Sequence, residues 1–211
     1  MYNERFFDTI REGIRASAAA VVPDLMTLFR PQRMIDVGCG EGWWAAEFVR
    51  HGCSATGVDG PGTRTVIDRF VAHDLTRPLP DAVLYERHDL ALSLEVAEHL
   101  PEARAASFVG ELCELAPVVV FSAAVPGQGG TGHVNEQWAE YWARLFERNG
   151  FHVSAALRWR FWNNSSVENW YRQNILVAAS RPQDHPELFE TPLAAVYSVV
   201  HPVLYNARRL P

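Results

Sequence analysis

Lysine is absent from all 211 residues; each of the 19 basic residues is an arginine. A Schiff-base enzyme needs a lysine amine, and so does the usual phosphate-binding P-loop, so both are excluded in their ordinary forms. Cysteine is scarce. Cys39, Cys53 and Cys113 form neither a CxxC pair nor a metal-ligand spacing, and are expected as small buried residues in a reducing compartment. Long apolar runs are missing as well. The longest, LAPVVVFSAAV at 115–125, is too short to span a bilayer. The leading MYNERFFDTIREGIR carries charges throughout and has no signal-peptide core. These absences predict a cytoplasmic protein with no membrane partner. Basic charge is in deficit too, with 25 acidic residues against 19 and a net charge of −6. That disfavours a nucleic-acid partner held by phosphate neutralisation.

What is present is an ordinary globular composition, 48% apolar and 21% charged. Phe6, Phe7, Ile10 and Ile14 recur at helical spacing and predict a helix over 3–20. Pro23 and Pro31 frame a second short helix over 24–29. The chain then alternates: strands at 33–38, 53–59, 70–73, 88–95 and 117–124, with helices at 42–52, 102–115 and 136–150. HVSAALRWRFW (152–162) alternates like a strand, and QNILVAAS (173–180) is another. Too few residues separate these two for a parallel crossover, so they are expected to pair antiparallel. The organisation predicted is an N-terminal helical segment (1–30), a main domain (31–181) and a docked tail (182–211). Such alternation makes an α/β sheet, mostly parallel and covered on both faces, with ligands beyond the carboxyl ends of its strands.

IDVGCGEGWW places Asp36 in the first strand and Gly38, Gly40 and Gly42 just after it. Glycines there allow a tight turn and close backbone approach to a ligand. Asp59 ends the second strand about twenty residues on, where a carboxylate can accept from ribose hydroxyls. The pattern suits a nucleoside-containing cofactor. A dinucleotide site would want its third glycine where Trp43 stands, which is the feature against an NAD or nucleotide-sugar enzyme.

Asp36-Val37-Gly38-Cys39-Gly40-Glu41-Gly42 resembles the first motif of the class I S-adenosylmethionine-dependent methyltransferases. The resemblance covers about residues 30–180. It implies a Rossmann-like, seven-stranded, mostly parallel sheet whose last strand is antiparallel. It also implies S-adenosylmethionine as cofactor, contacted by Asp36, Gly38, Cys39, Gly40, Asp59, Gly60, Asp74, Leu75, Ser93, Leu94 and Glu95. Asp59 corresponds to the ribose-binding acid, Asp74-Leu75 to the pair at the adenine, and 93–98 to the segment at the methionine end. SLEVAEHLP, FSAAVPGQGGTGHVNEQW and WYRQN look like a narrower bacterial subgroup of glycan or natural-product pathways. The expected activity is methylation of a hydroxyl or amine of a small molecule. A cofactor-binding scaffold without turnover is the alternative from another class.

Glu95, Glu98 and His99 stand at i, i+3 and i+4, which on a helix would share one face. With His133 they make a set able to bind a divalent metal, as happens in some related methyltransferases that carry Glu-x-x-Glu-His, but the commoner outcome is that Glu98 and His99 orient one another, and no metal is expected. His133, on the glycine-rich loop after the fifth strand, is a candidate general base, assisted by Glu98 and His99; His133-x-Asn135 is equally readable as a helix cap, with Asn135 as its residue. Trp138 and Trp142 are read as core. Trp162, Asn163, Asn164, Trp170, Tyr171 and Arg172 lie between the last two strands and are candidates for the acceptor; Arg158 and Arg160 read as solvated edge charges. A homodimer through helices or the tail stays open.

Overall fold

The computed structural model describes residues 4–207, with side chains from residue 11 onward. Phe6, Phe7 and Ile10 therefore lie outside the described side chains, and 1–3 and 208–211 outside the description.

Seven strands form one sheet in the order β3-β2-β1-β4-β5-β7-β6. They are β1 (Arg33–Val37), β2 (Ser54–Asp59), β3 (Phe70–Ala72), β4 (Leu90–Leu94), β5 (Val118–Ser122), β6 (His152–Ser154) and β7 (Leu176–Ala179). The first five are parallel, and β7 runs antiparallel to both β5 and β6. This is the mostly parallel sheet with an antiparallel end that the sequence implied. Chain order reverses between β1 and β4, and ligands of such sheets bind at the crevice opened there.

Side chains on the central strands alternate between two cores. Met34, Val118 and Val120 join one, with α1 (Glu4–Phe29), α2 (Trp43–Arg50), α6 (Ala156–Phe161) and α7 (Asn169–Asn174). Ile35, Val37, Val119 and Phe121 join the other, with α3 (Asp81–Leu84), α4 (Glu102–Leu115) and α5 (Ala139–Arg148). Burial on both faces is why these strands are apolar runs. The closing segment carries the short α8 (Pro186–Phe189) and α9 (Pro202–Ala207).

Two expectations are corrected. The two N-terminal helices are one, because α1 runs through Pro23. A proline inside a helix forfeits a hydrogen bond and costs about 3 kcal/mol. Val21, Val22 and Leu25, all fully buried on either side of it, hold the helix together across the break. The strand over 152–162 stops at Ser154. β6 pairs only with Val177–Ala179, and the next N–H, that of Ala155, donates to the Ala194 carbonyl at 2.9 Å rather than to β7. The Ser154 hydroxyl accepts from the Ala156 N–H at 3.1 Å and opens α6 instead. Leu157 and Phe161, four apart, then share its buried face. Arg158 lies on that helix rather than at a solvated edge; it is 1% exposed and donates to the Tyr197 carbonyl.

Candidate active site

The loop after β1 turns back over the sheet at Gly38, whose φ is +84°. A Cβ there would lie 2.3 Å from a Val96 methyl, so only glycine fits both the backbone and the space. Asp59, at the end of β2, accepts the Gly40 N–H through one oxygen and the Gly60 N–H through the other, both at 2.6 Å. A carboxylate has about four acceptor positions, so two stay open toward a ligand.

Two cavities meet at Gly38, Gly40 and Glu95. The outer one, about 470 Å³, is lined by Asp59, Gly60, Asp74, Leu75 and His99 among others. Asp74 is tied by the Thr76 N–H and hydroxyl, which lower its pKa. The inner one, about 360 Å³, is lined by Asp36, Cys39, Leu94, Trp43, Trp44 and Tyr171, and by Arg11 and Ile14 from α1. Arg11 pairs with Glu41 through two nitrogens, at 2.8 and 2.9 Å, and Trp43 donates to the same carboxylate at 2.7 Å. This fastens α1 over the glycine loop. Tyr171 meets Trp44 edge-on, 5.1 Å between centroids.

Asp36 is buried with Oδ2 unpartnered. Burial, and then the charge of Asp59, push its pKa up to about 7. This cradle therefore fits a ligand that brings a cation to Asp36 and hydroxyls to Asp59, as an amino-acid-bearing nucleoside does. The thiol of Cys39 is pushed up by burial and by Asp36.

Of the residues expected at the cofactor, Asp36, Gly38, Cys39, Gly40, Asp59, Gly60, Asp74, Leu75, Leu94 and Glu95 line these cavities. Ser93 does not; it is fully buried inside β4.

Beyond β4 the expected helix is absent. Glu95 has φ +56°, and a single 3₁₀ turn, 97–99, follows. The left-handed bend still brings the Glu95 and Glu98 carboxyls together, so that Glu95 adds to the burial that raises the proton affinity of Glu98; that of Glu95 is raised by burial, against its hydrogen-bond donors. Glu95 is well supplied with donors: Gln128 Nε2 at 2.7 Å and Asn174 Nδ2 at 3.0 Å. Asn174 also donates to Gln128 Oε1, and Gln173 to Asn174, while the His201 N–H donates to Gln173. The ladder runs from the cavity to the C-terminal segment. Glu98 is fully buried with neither oxygen partnered, and burial first, then Glu95, push its pKa up to about 9.

His99 and His133 meet edge-on at 4.8 Å. His133 Nδ1 is 2.8 Å from Glu136 Oε1, and Glu136 is held by the Gly127 and Gly129 N–H groups. Asn135 does not cap α5, which starts from Trp138. Its N–H, like that of Val134, donates to the Glu98 carbonyl and pins the His133 loop to the 3₁₀ turn.

Among the acceptor candidates, only Tyr171 lines either cavity. Trp170 packs beside Tyr171, Trp162 packs on Trp159 and His201, Asn163 is exposed, and Arg172 donates to the Asn164 carbonyl. Trp142 is core, but Trp138 is exposed. Sequence reading missed Arg11, Ile14, Gln128 and Asn174. The bulky Trp43 and Trp44 directly after the glycines are the one sequence signal of this aromatic wall.

Residues 10–174 match the family described as Methyltransferase domain. Curated proteins contain no match to the chain. Solved structures do. The chain is similar to magnesium protoporphyrin IX methyltransferase of Synechocystis PCC 6803, crystallised with S-adenosylhomocysteine, at 20% identity and a TM-score of 0.57 over 85% of this chain and 88% of that one. It is similar to a SAM-dependent methyltransferase of Archaeoglobus fulgidus at 18% identity and 0.58, over 72% and 76%. DesVI of Streptomyces venezuelae aligns at 14% identity and 0.61, over 83% and 95%. With four-fifths of the chain matched by the family and the seven-stranded fold in place, the chain belongs to the methyltransferase-domain family, the S-adenosylmethionine-dependent methyltransferases of class I fold.

Proposed function

We propose that the protein methylates a hydroxyl or amine of a small molecule, such as a sugar, a glycan precursor or a natural product. The observation that carries this reading is the inner cavity of about 360 Å³, which shares Asp36, Gly38 and Gly40 with the cofactor cradle and is otherwise walled by Trp43, Trp44, Tyr171 and Ile14. A volume of that order suits a small ligand rather than a macromolecular surface. No described helix is long and apolar enough to cross a membrane.

In this reading Asp59 binds the ribose hydroxyls, Asp74 and Leu75 flank the adenine, and Asp36 takes the cofactor's ammonium group. Bound there, S-adenosylmethionine supplies an electrophilic methyl on a sulfonium. The chain's own work is alignment. Gly38 and Gly40 let the backbone close in, Leu94 and Glu95 form the floor, and the aromatic wall excludes water and holds the acceptor in line. Alignment of this kind is worth about 7–11 kcal/mol, whereas a general base adds 10²–10⁴-fold. Glu98, His99 and His133 are the groups available to the acceptor's proton.

Calorimetric titration with S-adenosylhomocysteine tests the reading, with NAD run beside it and both repeated on Asp59→Ala. The expected result is binding of S-adenosylhomocysteine alone, weakened about 100-fold by the substitution, because two charge-assisted hydrogen bonds of about 1.5 kcal/mol each are lost. Binding of NAD instead would return the glycine motif to the dinucleotide class. Unchanged affinity in the variant would remove Asp59 from its role.

A further inference from the structure

The inner cavity carries more negative charge than positive. Its lining holds the carboxyls of Asp36, Glu41 and Glu95, and among the described residues Arg11 is its one cation. Arg11 is engaged with Glu41, and in the methyl-transfer reading Asp36 takes the cofactor's ammonium group. Glu95 is left without a counter-charge of its own. The groups that donate to its oxygens are the neutral amides of Gln128 and Asn174. His133, whose charge bears on it, is paired with Glu136 at 2.8 Å.

The amide chain fixes Glu95 as a carboxylate. Its outer end is the His201 main-chain N–H, which can only donate, so Gln173 must turn its oxygen toward it, at 2.7 Å. Gln173 Nε2 then faces Asn174 Oδ1, and Asn174 Nδ2 faces Gln128 Oε1 and Glu95 Oε1. Gln128 Nε2 is thereby aimed at Glu95 Oε2. Both oxygens of Glu95 receive N–H groups, the pattern that an ionised, acceptor-only carboxylate satisfies. Partly withdrawn from water, this charge attracts a cation more strongly than an exposed one would.

The place of Glu95 decides which cation that is. Together with Gly38 and Gly40 it is shared by the two cavities. In the methyl-transfer reading the adenosine fills the outer cavity and the amino-acid end reaches Asp36, which puts the sulfur joining them at this junction. Trp43, Trp44 and Tyr171 wall the space beside it, and aromatic faces attract cations. Trp43 already carries one, since the Arg15 guanidinium lies 4.7 Å from its ring centre.

We propose that the methyl acceptor is an amine rather than a hydroxyl, and that Glu95 and the aromatic wall form the site for its positive charge. This rests on the methyl-transfer reading above. The amine reacts as the free base: its lone pair forms the new N–C bond as the C–S bond breaks, and the bonding pair stays on sulfur. One positive charge thus moves from sulfur to nitrogen without leaving the field of Glu95. A hydroxyl acceptor would shed that charge with its proton and leave the carboxylate facing only neutral groups. The surplus proton of the product ammonium passes to solvent after release.

The test probe is choline, set against its uncharged carbon isostere 3,3-dimethylbutan-1-ol. Each is titrated into protein saturated with S-adenosylhomocysteine and followed by tryptophan fluorescence. The sulfur of that complex is neutral, so choline stands in for the methylated ammonium of the product. Choline is expected to bind about tenfold more tightly than the isostere. With S-adenosylmethionine in place of S-adenosylhomocysteine the preference should fall to about threefold or less, because two cations then share one carboxylate. Glu95→Gln should remove the preference and Trp43→Leu should reduce it, each in protein shown to be folded by its saturation with S-adenosylhomocysteine. No preference for choline in the unmodified protein, or one that survives Glu95→Gln, overturns the proposal. Failure of the methyl-transfer reading looks different: S-adenosylhomocysteine itself does not bind.

Discussion

Two carboxylate pairs stand at the cleft, and they are built alike. In each, one acid takes at least two hydrogen-bond donors and the other is buried with at least one oxygen unpartnered. Asp59 is held by Gly40 and Gly60, while Asp36 beside it has an orphaned oxygen. Glu95 is held by Gln128 and Asn174, while Glu98 beside it has two. Asp59 raises the proton affinity of Asp36, and Glu95 that of Glu98, each in addition to the larger effect of burial. The pairs differ in what supports them. The first stands on backbone N–H groups of glycines, the second on side-chain amides brought from a loop 33 residues on and from the end of α7, 79 residues on. Backbone donors make a rigid cradle that side-chain substitution hardly touches, whereas an amide lattice depends on every member.

The largest break in this comparison is expected from Gly38→Ala. It forces a side chain into a left-handed position against Val96, at a cost of roughly 2–3 kcal/mol. Thermal unfolding should fall by about 5–10 °C and S-adenosylhomocysteine binding should disappear from calorimetry. An unchanged melting temperature would mean that the loop is not confined as described.

Asp36→Asn comes next. Asp36 must be ionised to hold an ammonium group, and its pKa without ligand is about 7. Affinity of the unmodified protein should therefore rise with pH through 7 and then level. The groups around Asp36 that bear on it are Asp59, whose charge raises its pKa, and the Cys39 thiol and Tyr171 phenol, both pushed up and neutral in this range. The variant should bind about tenfold more weakly at pH 8, with this pH dependence flattened. Its effect on stability has the opposite sign. A carboxyl whose pKa is raised in the folded state withdraws stability as pH climbs from its unfolded value near 4 to about 7. Asp36→Asn without ligand should thus be more stable than the parent at pH 8 and little different at pH 4. Parallel melting curves with pH, equal at both ends, would show that Asp36 is not the group responsible.

Asn174→Leu sharpens the contrast at lower amplitude. It takes one donor from Glu95 and one from Gln128, at about 1–3 kcal/mol of stability. Melting should drop by a few degrees while S-adenosylhomocysteine affinity changes less than about threefold. A collapse of affinity equal to that of Asp36→Asn would show that the amide lattice, too, belongs to the cofactor cradle.

The two pairs were also unequally legible in the sequence. Asp36, Gly38, Gly40 and Asp59 stand out because β1, its glycine turn and the end of β2 obey local rules: apolar strand, positive-φ glycines, carboxylate at a strand end. The helix-face reading of Glu95, Glu98 and His99 named residues that do lie together, but by another geometry, a left-handed bend and a 3₁₀ turn. Trp162 and Arg172 were drawn toward the site by their place between the last two strands. The actual chain turns helical after Ser154, and only Tyr171 reaches the cavity.

From sequence alone came the sheet class, the antiparallel end, the glycine turn with its two aspartates, and the absence of lysine chemistry. All of these rest on short-range periodicity and on residue types that permit or forbid a conformation. Tertiary structure decided that α1 survives Pro23, that Trp43, Trp44 and Tyr171 make one wall, and that Gln128 and Asn174 converge on Glu95. It also decided that Glu98 is fully buried, within 4.8 Å of ring nitrogens of His99 and His133. These depend on which distant segments the packed core brings together, and burial, desolvation and hydrogen-bond partnership have no value until it does.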